Sequence, residues 1–174
     1  RGGGKNYAPN RGAGGGHGGR GGRTTGSAEG GATNDVMETP ALPGSGGGAG
    51  YTMPPSNIPG GNGGGVVKMN VTMTVALDGV MSANGQSGGT EGGGGAGGTI
   101  FLSARRLAGS GLLRTDGGST GLGAGGGGGG RIAVWTLYNS FTGQMSVTNG
   151  AGYSSGAPAE YSQPGTIYLG TLRA

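Results

Sequence analysis

The single histidine, His17, is the first residue to consider for acid–base chemistry or metal binding. It lies in the stretch GGGHGGRGG, the chain contains no cysteine, and no carboxylate is closer in sequence than Glu29. Catalysis and metal binding both require several such groups to converge on one point. We therefore expect the His17 side chain to face solvent or to bond to backbone. We predict no metal site and no cofactor.

The seven carboxylates are the other candidates for chemistry. Asp78 and Asp116 occur in turn-like sequences, where Asp is favoured for local reasons. Calcium at Asp116 is an alternative, but the dense oxygen spacing of a calcium loop is missing there. A carboxylate pair for glycoside cleavage needs two acids at a defined separation, and nothing here selects a pair. The sequence predicts no catalytic residue, and we expect the chain not to be an enzyme. The remaining acids are Glu29, Asp35, Glu38, Glu91 and Glu160.

Arginines next to glycine pairs give the chain a likeness to RNA-binding tails. They occur at Arg1 and Arg20, with Arg23 close by, and the net charge of +4 favours phosphate. Such tails carry many more arginines and interleaved aromatic residues, whereas only Tyr7 is nearby. Nucleic-acid binding therefore stays the disfavoured alternative. We expect Arg105, Arg106 and Arg114 to form one solvated basic edge.

Asn70-Val71-Thr72 is the one N-glycosylation sequon in the chain. Around it, apolar and polar residues alternate with the period of a half-buried β-strand. This alternation places Asn70 on the polar face, where a sugar could be attached. We predict Asn70 as a glycosylation site. The apolar positions are Val67, Met69, Val71, Met73 and Val75.

The elements that carry these residues repeat along the chain. Apolar arms begin at Val67, Ile100, Ile132 and Ile167, which lie 32 to 35 residues apart. The glycines that start a second, shorter arm recur every 32 residues. One such unit cannot bury its apolar face alone, whereas stacked units can. The repeat predicts an all-β fold, a β-solenoid, with units at 66–98, 99–130, 131–165 and a half unit at 166–174.

An antiparallel β-sandwich is the alternative fold. The turns at residues 77–79 and 108–111 could close hairpins instead of solenoid corners. Collagen is excluded, because glycine does not recur every third residue and proline numbers only 8.

Glycine supplies 52 of the 174 residues, concentrated in linkers such as 85–98 and 117–130. We predict that these linkers are extended, polyproline-II-like segments packed closely together, with Cα–H···O contacts that a Cβ would block. Residues 1–65 have a similar composition and little apolar periodicity. We expect this N-terminal segment to wrap over the β-stack or to reach a neighbouring molecule.

Several segments resemble a glycine-rich repeat module of large secreted or surface proteins of environmental bacteria. They are LDGVMSANG (77–85), GGTIFLSARRLAGSG (97–111), GGGGGGRIAVW (125–135), HGGRGG (17–22) and ALPGSGGGAG (41–50). The resemblance implies β-rich repeats and an extracellular or cell-surface location. It implies no catalytic residues.

Self-assembly is the function that these features favour. Thr166, Ile167, Tyr168 and Leu169 form the first arm of a fourth unit that has no second arm, so we expect an open strand edge and an uncovered apolar face. Head-to-tail addition of copies at that edge would build a fibre or a surface layer. The alternative is an adhesin that binds polysaccharide through polar strand faces and tyrosines. No apolar run is long enough to span a membrane. The tyrosines in question are Tyr138, Tyr153, Tyr161 and Tyr168.

Overall fold

The computed structural model describes residues 3–4, 6–7, 11–25, 28–52, 56–121, 123–152 and 161–173. Within these ranges the chain forms β-strands and no helix, so no described helix could cross a membrane. The strands are β1 (Asn6–Tyr7), β2 (Arg11–Gly12), β3 (Gly50–Thr52), β4 (Ser56–Ile58), β5 (Val66–Ala76), β6 (Val80–Ser82), β7 (Thr99–Gly109), β8 (Leu112–Arg114), β9 (Arg131–Phe141), β10 (Gln144–Ser146) and β11 (Thr166–Thr171).

From β5 onward, long and short strands alternate and stack into a parallel β-solenoid of about three turns. The long strands form one sheet in the order β11-β9-β7-β5, and the short strands form a second sheet in the order β10-β8-β6. Every pairing within these two sheets is parallel. The solenoid prediction is therefore confirmed.

The sandwich alternative is wrong, because the turns are corners and not hairpins. At one corner the Leu77 N–H donates to the Ala108 carbonyl, and the Gly111 N–H donates to the Leu77 carbonyl. These bonds join one layer to the next, so each turn sends the chain from the long sheet into the short sheet. Antiparallel pairing occurs only in the two small ribbons β1/β2 and β3/β4 among the described strands.

The core lies between the two sheets and is deepest in the middle layers. The long strands of the second and third layers supply Ile100, Leu102, Ile132 and Val134, and the short sheet supplies Leu113; all five are buried. The outer strands β5 and β11 are only half-buried, because each has a neighbour on one side.

The alternation of buried and exposed residues changes phase in the middle of β7. Leu102 and Ala104 are buried, and the next buried residue is Leu107, which leaves Arg105 and Arg106 both exposed. The edge strand β5 accommodates this with a register shift between Val71 and Thr74. Such an irregularity re-aims neighbouring side chains. Met73, predicted on the apolar face, is instead 65% exposed beside the shift, so that prediction is wrong.

Residues 93–98 show how the glycine segments pack. Each residue donates its N–H to a neighbouring segment, and every third residue donates to the same one. A three-residue repeat is the geometry of a polyproline-II-like helix. The donor–acceptor pairs are Gly93–Gly48, Ala96–Ser45, Gly94–Gly125, Gly97–Gly128, Gly95–Gln86 and Gly98–Ala83.

This packing needs glycine because backbone meets backbone directly. A Cβ on Gly94 would overlap the carbonyl oxygen of Gly118. Ordering a glycine costs roughly 0.5–1 kcal/mol more than ordering an alanine. Each backbone hydrogen bond contributes a net of about 1 kcal/mol, so one bond per residue is enough to offset that cost.

The N-terminal segment belongs to the same bundle. The Gly14 N–H donates to the Gly22 carbonyl, and the Gly31 N–H donates to the Gly14 carbonyl. The Gly22 N–H donates to the Gly126 carbonyl. Gly15 donates to Gly94, so the segment touches the linkers of two different repeat units. Glycine segments and β-stack therefore share one hydrogen-bond network.

Candidate functional site

The four-stranded sheet has an outer face, defined here as the face turned away from the short strands. Because the strands are in register, outward residues form rows across them. One row joins Asn70, Ser103, Trp135 and Gly170. Trp135 lies over Gly170, where a Cβ would clash with the indole ring. Its ring also packs against Tyr168 at a centroid distance of 5.2 Å.

Residues 34–42 cover one end of this face. The Trp135 Nε1–H donates to the Glu38 carbonyl at 2.8 Å, and the Thr99 hydroxyl donates to the Leu42 carbonyl at 2.8 Å. The guanidinium of Arg131, largely buried, donates to the Asn34 carbonyl. Burial lowers the pKa of Arg131, against the opposing effects of Asp35 and Glu38. These contacts cover the first residues of β7 and β9 on this face.

His17 contacts residues 34–42, called the covering segment here, and is completely buried. Its Nδ1 is 2.9 Å from Asn34 Oδ1, and its Nε2 is 3.0 Å from Thr99 Oγ1. The Asn34 amide nitrogen donates to the Gly16 carbonyl, which leaves its Oδ1 facing His17 Nδ1 as an acceptor. Burial lowers the pKa of His17, and the nearby Arg131 lowers it further, against the hydrogen bond to Asn34. The expectation of a solvent-facing or backbone-bonded side chain is wrong, because the ring is buried and both ring nitrogens have side-chain partners.

Asp35 holds the covering segment in its shape. Its backbone has a φ of 70°, a left-handed conformation that Asp tolerates better than most residues. One carboxylate oxygen accepts the Val36 N–H, and the other accepts the N–H groups of Ala41 and Leu42. Partial burial raises the pKa of Asp35, but these three bonds outweigh it and the pKa is lowered overall.

The two aspartates expected at turns, Asp78 and Asp116, accept hydrogen bonds from the next layer. Asp116 Oδ1 accepts the N–H and hydroxyl of Thr148 and the hydroxyl of Ser146. Asp78 Oδ1 accepts the Ser110 N–H in the same way. The calcium alternative at Asp116 is therefore not supported by its surroundings. Among the described residues, no group of three or more metal-binding side chains converges.

The second half of the outer face is uncovered and forms a groove of about 600 Å³. We call it the basic groove. Its charged residues are Arg105 and Arg173, both exposed. The strands β5, β7, β9 and β11 contain no Asp or Glu. The groove is lined by Asn70, Val71, Thr72, Ser103, Arg105, Leu137, Leu172 and Arg173.

The structure separates the arginines that sequence grouped into one edge. Arg105 and Arg106 lie on the long sheet, and Arg114 lies on the short one. Arg114 Nε donates to Ser82 Oγ, and Arg106 Nε donates to Ser140 Oγ. Arg173 is absent from the sequence-based prediction. The signal that could have found the groove is the complete lack of acids in the four long strands.

Asn70 is exposed on the outer face, as its place in the alternation predicts, and it lies in the basic groove. Of the predicted tyrosines, Tyr138 and Tyr161 are exposed and Tyr168 packs against Trp135 with its ring tilted. Tyr153 and Glu160 lie outside the described residues, as does Arg1. None of the described tyrosines lines the groove.

The end of the stack formed by β10 and β11, called the open end here, exposes apolar side chains. Ile167 and Leu169 pair in register with the buried Ile132 and Val134 but are 40% and 59% exposed. The reason is the strand count: the long sheet has four strands and the short sheet has three. No described short strand therefore lies opposite β11.

The chain matches no protein-family model, no curated protein and no solved structure. The function must therefore be inferred from the groove, the open end and the buried His17 cluster.

Proposed function

We propose that this chain is an extracellular structural protein that assembles head-to-tail into a fibre or surface layer. The observation that carries the proposal is the exposure of Ile167 and Leu169 on an edge strand. Unpaired edges and uncovered apolar faces are templates for another chain. The extracellular location rests on the resemblance to secreted and surface repeat modules.

The two ends of the long sheet are complementary. The six residues of β11 share a register, through β9 and β7, with residues 66–71 of β5. That stretch is the regular part of β5, because the register shift begins after Val71. A second copy can thus place residues 66–71 beside β11 and continue every row of the stack.

The contact is heterologous, since one end of a copy meets the other end of the next. Heterologous contacts that do not close into a ring produce open filaments. The fourth layer of the short sheet beside β10 would still need a strand. In this proposal an extended segment of the incoming copy lies there and covers Ile167 and Leu169.

The test compares the chain with two variants that each gain one charge. In Leu169→Glu the charge falls on the open end, and assembly should weaken by roughly 100-fold or more, because an unpaired carboxylate would be buried. Val36→Glu is the matched control, since Val36 is 54% exposed and belongs to no described strand. Light scattering over a concentration series and negative-stain microscopy give the readout, with circular dichroism to check folding.

A monodisperse monomer of the unaltered chain at all concentrations would overturn the proposal. Equal loss of assembly in both variants would also overturn it, because the open end would then have no special part.

A further inference from the structure

The basic groove has the composition of a binding site, and the assembly proposal makes no use of it. Asn70, Thr72 and Ser103 supply amide and hydroxyl groups along one side. Leu137 and Leu172 supply apolar surface. A shallow groove that combines hydroxyl-binding groups with apolar surface suits a ligand with many hydroxyls and a chain-like shape.

The arginines of the groove have no acidic partner in the part of the chain that the structure describes. Arg106 and Arg114 each donate to a serine, whereas Arg105 and Arg173 make no such bond there. A guanidinium presents a planar set of donors that matches a carboxylate in a bidentate pair. Two such groups in an acid-free surface favour an anionic ligand.

We propose that the basic groove binds an acidic polysaccharide whose sugar rings carry carboxylates. Arg105 and Arg173 would bind the carboxylates, and the polar side chains of Asn70, Thr72 and Ser103 would bind ring hydroxyls. Single-stranded nucleic acid is the less suitable polyanion, because its binding sites use aromatic rings for base stacking. No aromatic residue lines this groove.

Glycosylation of Asn70 would interfere with binding in the groove. Asn70 lines the groove, so a sugar attached to Asn70 would occupy the place of the ligand. The unmodified chain is therefore the form that binds, and it is the form to use in the test.

The experiment measures binding of polygalacturonate to the full chain by calorimetry, with the fully methyl-esterified polymer as the uncharged counterpart. The charged polymer should bind and the esterified one should not. Arg105→Gln and Arg173→Gln should each weaken binding by about fivefold, because an exposed ion pair contributes up to about that factor. Arg114→Gln is the control, since it removes the same charge from the other sheet.

Three results would overturn the proposal: equal binding of both polymers, equal weakening by Arg114→Gln, or tighter binding of single-stranded DNA than of polygalacturonate. Repeating the titration in the Leu169→Glu variant separates this site from assembly. The groove should bind with unchanged affinity per chain in that variant.

Discussion

At the scale of single residues, His17 joins parts of the chain that are distant in sequence. Its ring bonds to Asn34 in the covering segment and to Thr99 at the start of β7. Burial and Arg131 disfavour the charged form of the ring, so the pKa of His17 is lowered from 6.5. We therefore expect the attachment of the covering segment to depend on pH.

Stability should fall on mild acidification because of His17. The unfolded chain takes up a proton near pH 6.5, whereas the folded chain resists it, since its pKa is lowered. The free energy of unfolding should be level above about pH 7.5 and decrease as the pH falls from 6.5 towards the folded pKa. Urea unfolding at a series of pH values measures this decrease.

His17→Gln serves as the control for that series, because an amide can both donate and accept but does not titrate in this range. The decrease near pH 6 should vanish in it. Asp35 acts in a separate window: its pKa is lowered from 3.8, so its contribution is lost only at more acidic pH. A decrease near pH 6 that persists in His17→Gln would contradict the assignment.

At the scale of elements, the glycine segments are as specific as the strands. Each residue of 93–98 donates its N–H to one neighbouring segment, and its position in the three-residue repeat determines which segment that is. A side chain is therefore excluded at a glycine that faces another backbone, whereas a glycine at an open corner has room for one. Sequence alone makes these glycines look alike.

Gly94→Ala and Gly79→Ala should have opposite outcomes. At Gly94 the new methyl group overlaps the Gly118 carbonyl, so we expect a loss of at least about 1–3 kcal/mol of stability, the usual cost of overpacking. At Gly79 nothing lies within 4 Å of the new atom, so the change should be neutral or stabilise by up to about 1 kcal/mol. Thermal unfolding followed by circular dichroism compares the two. Equal losses would show that the segments are not packed through their backbones.

At the scale of the whole molecule, the β-stack and the glycine bundle form a single hydrogen-bonded structure. Trp135 is the only tryptophan in the chain, and its indole bonds to the Glu38 carbonyl in the covering segment. Its fluorescence therefore reports on contact between the covering segment and the sheet.

The fluorescence of Trp135 and the far-ultraviolet circular dichroism should report the same unfolding transition in urea. We expect coincident midpoints, because removing the cover also breaks bonds from Arg131 and Thr99 in the long sheet. Coincidence of different probes is the usual sign of cooperative unfolding. A fluorescence change that is complete at lower urea concentration would show that the cover detaches first.

The periodic part of this protein could be predicted from its residues alone. Stacked layers must contain nearly equal numbers of residues, so a repeat of about 32 residues places Ile100 beside Ile132 in neighbouring strands. The glycines at the corners mark the ends of each arm. The same repeat predicted that Ile167 and Leu169 are exposed, and among the described residues no short strand lies opposite them.

The contacts between distant segments could not be predicted and are known only from the folded chain. His17 lies in a polyglycine stretch with no local pattern, and its burial depends on Asn34 and Thr99 arriving from elsewhere in the chain. Met73 keeps the strand alternation in sequence, yet the register shift of β5 against β7 exposes it. Arg173 joins Arg105 in one groove because parallel strands bring residues far apart in sequence side by side. Periodicity records the neighbours within a repeat, whereas contacts between non-repeating segments leave no local trace in the sequence.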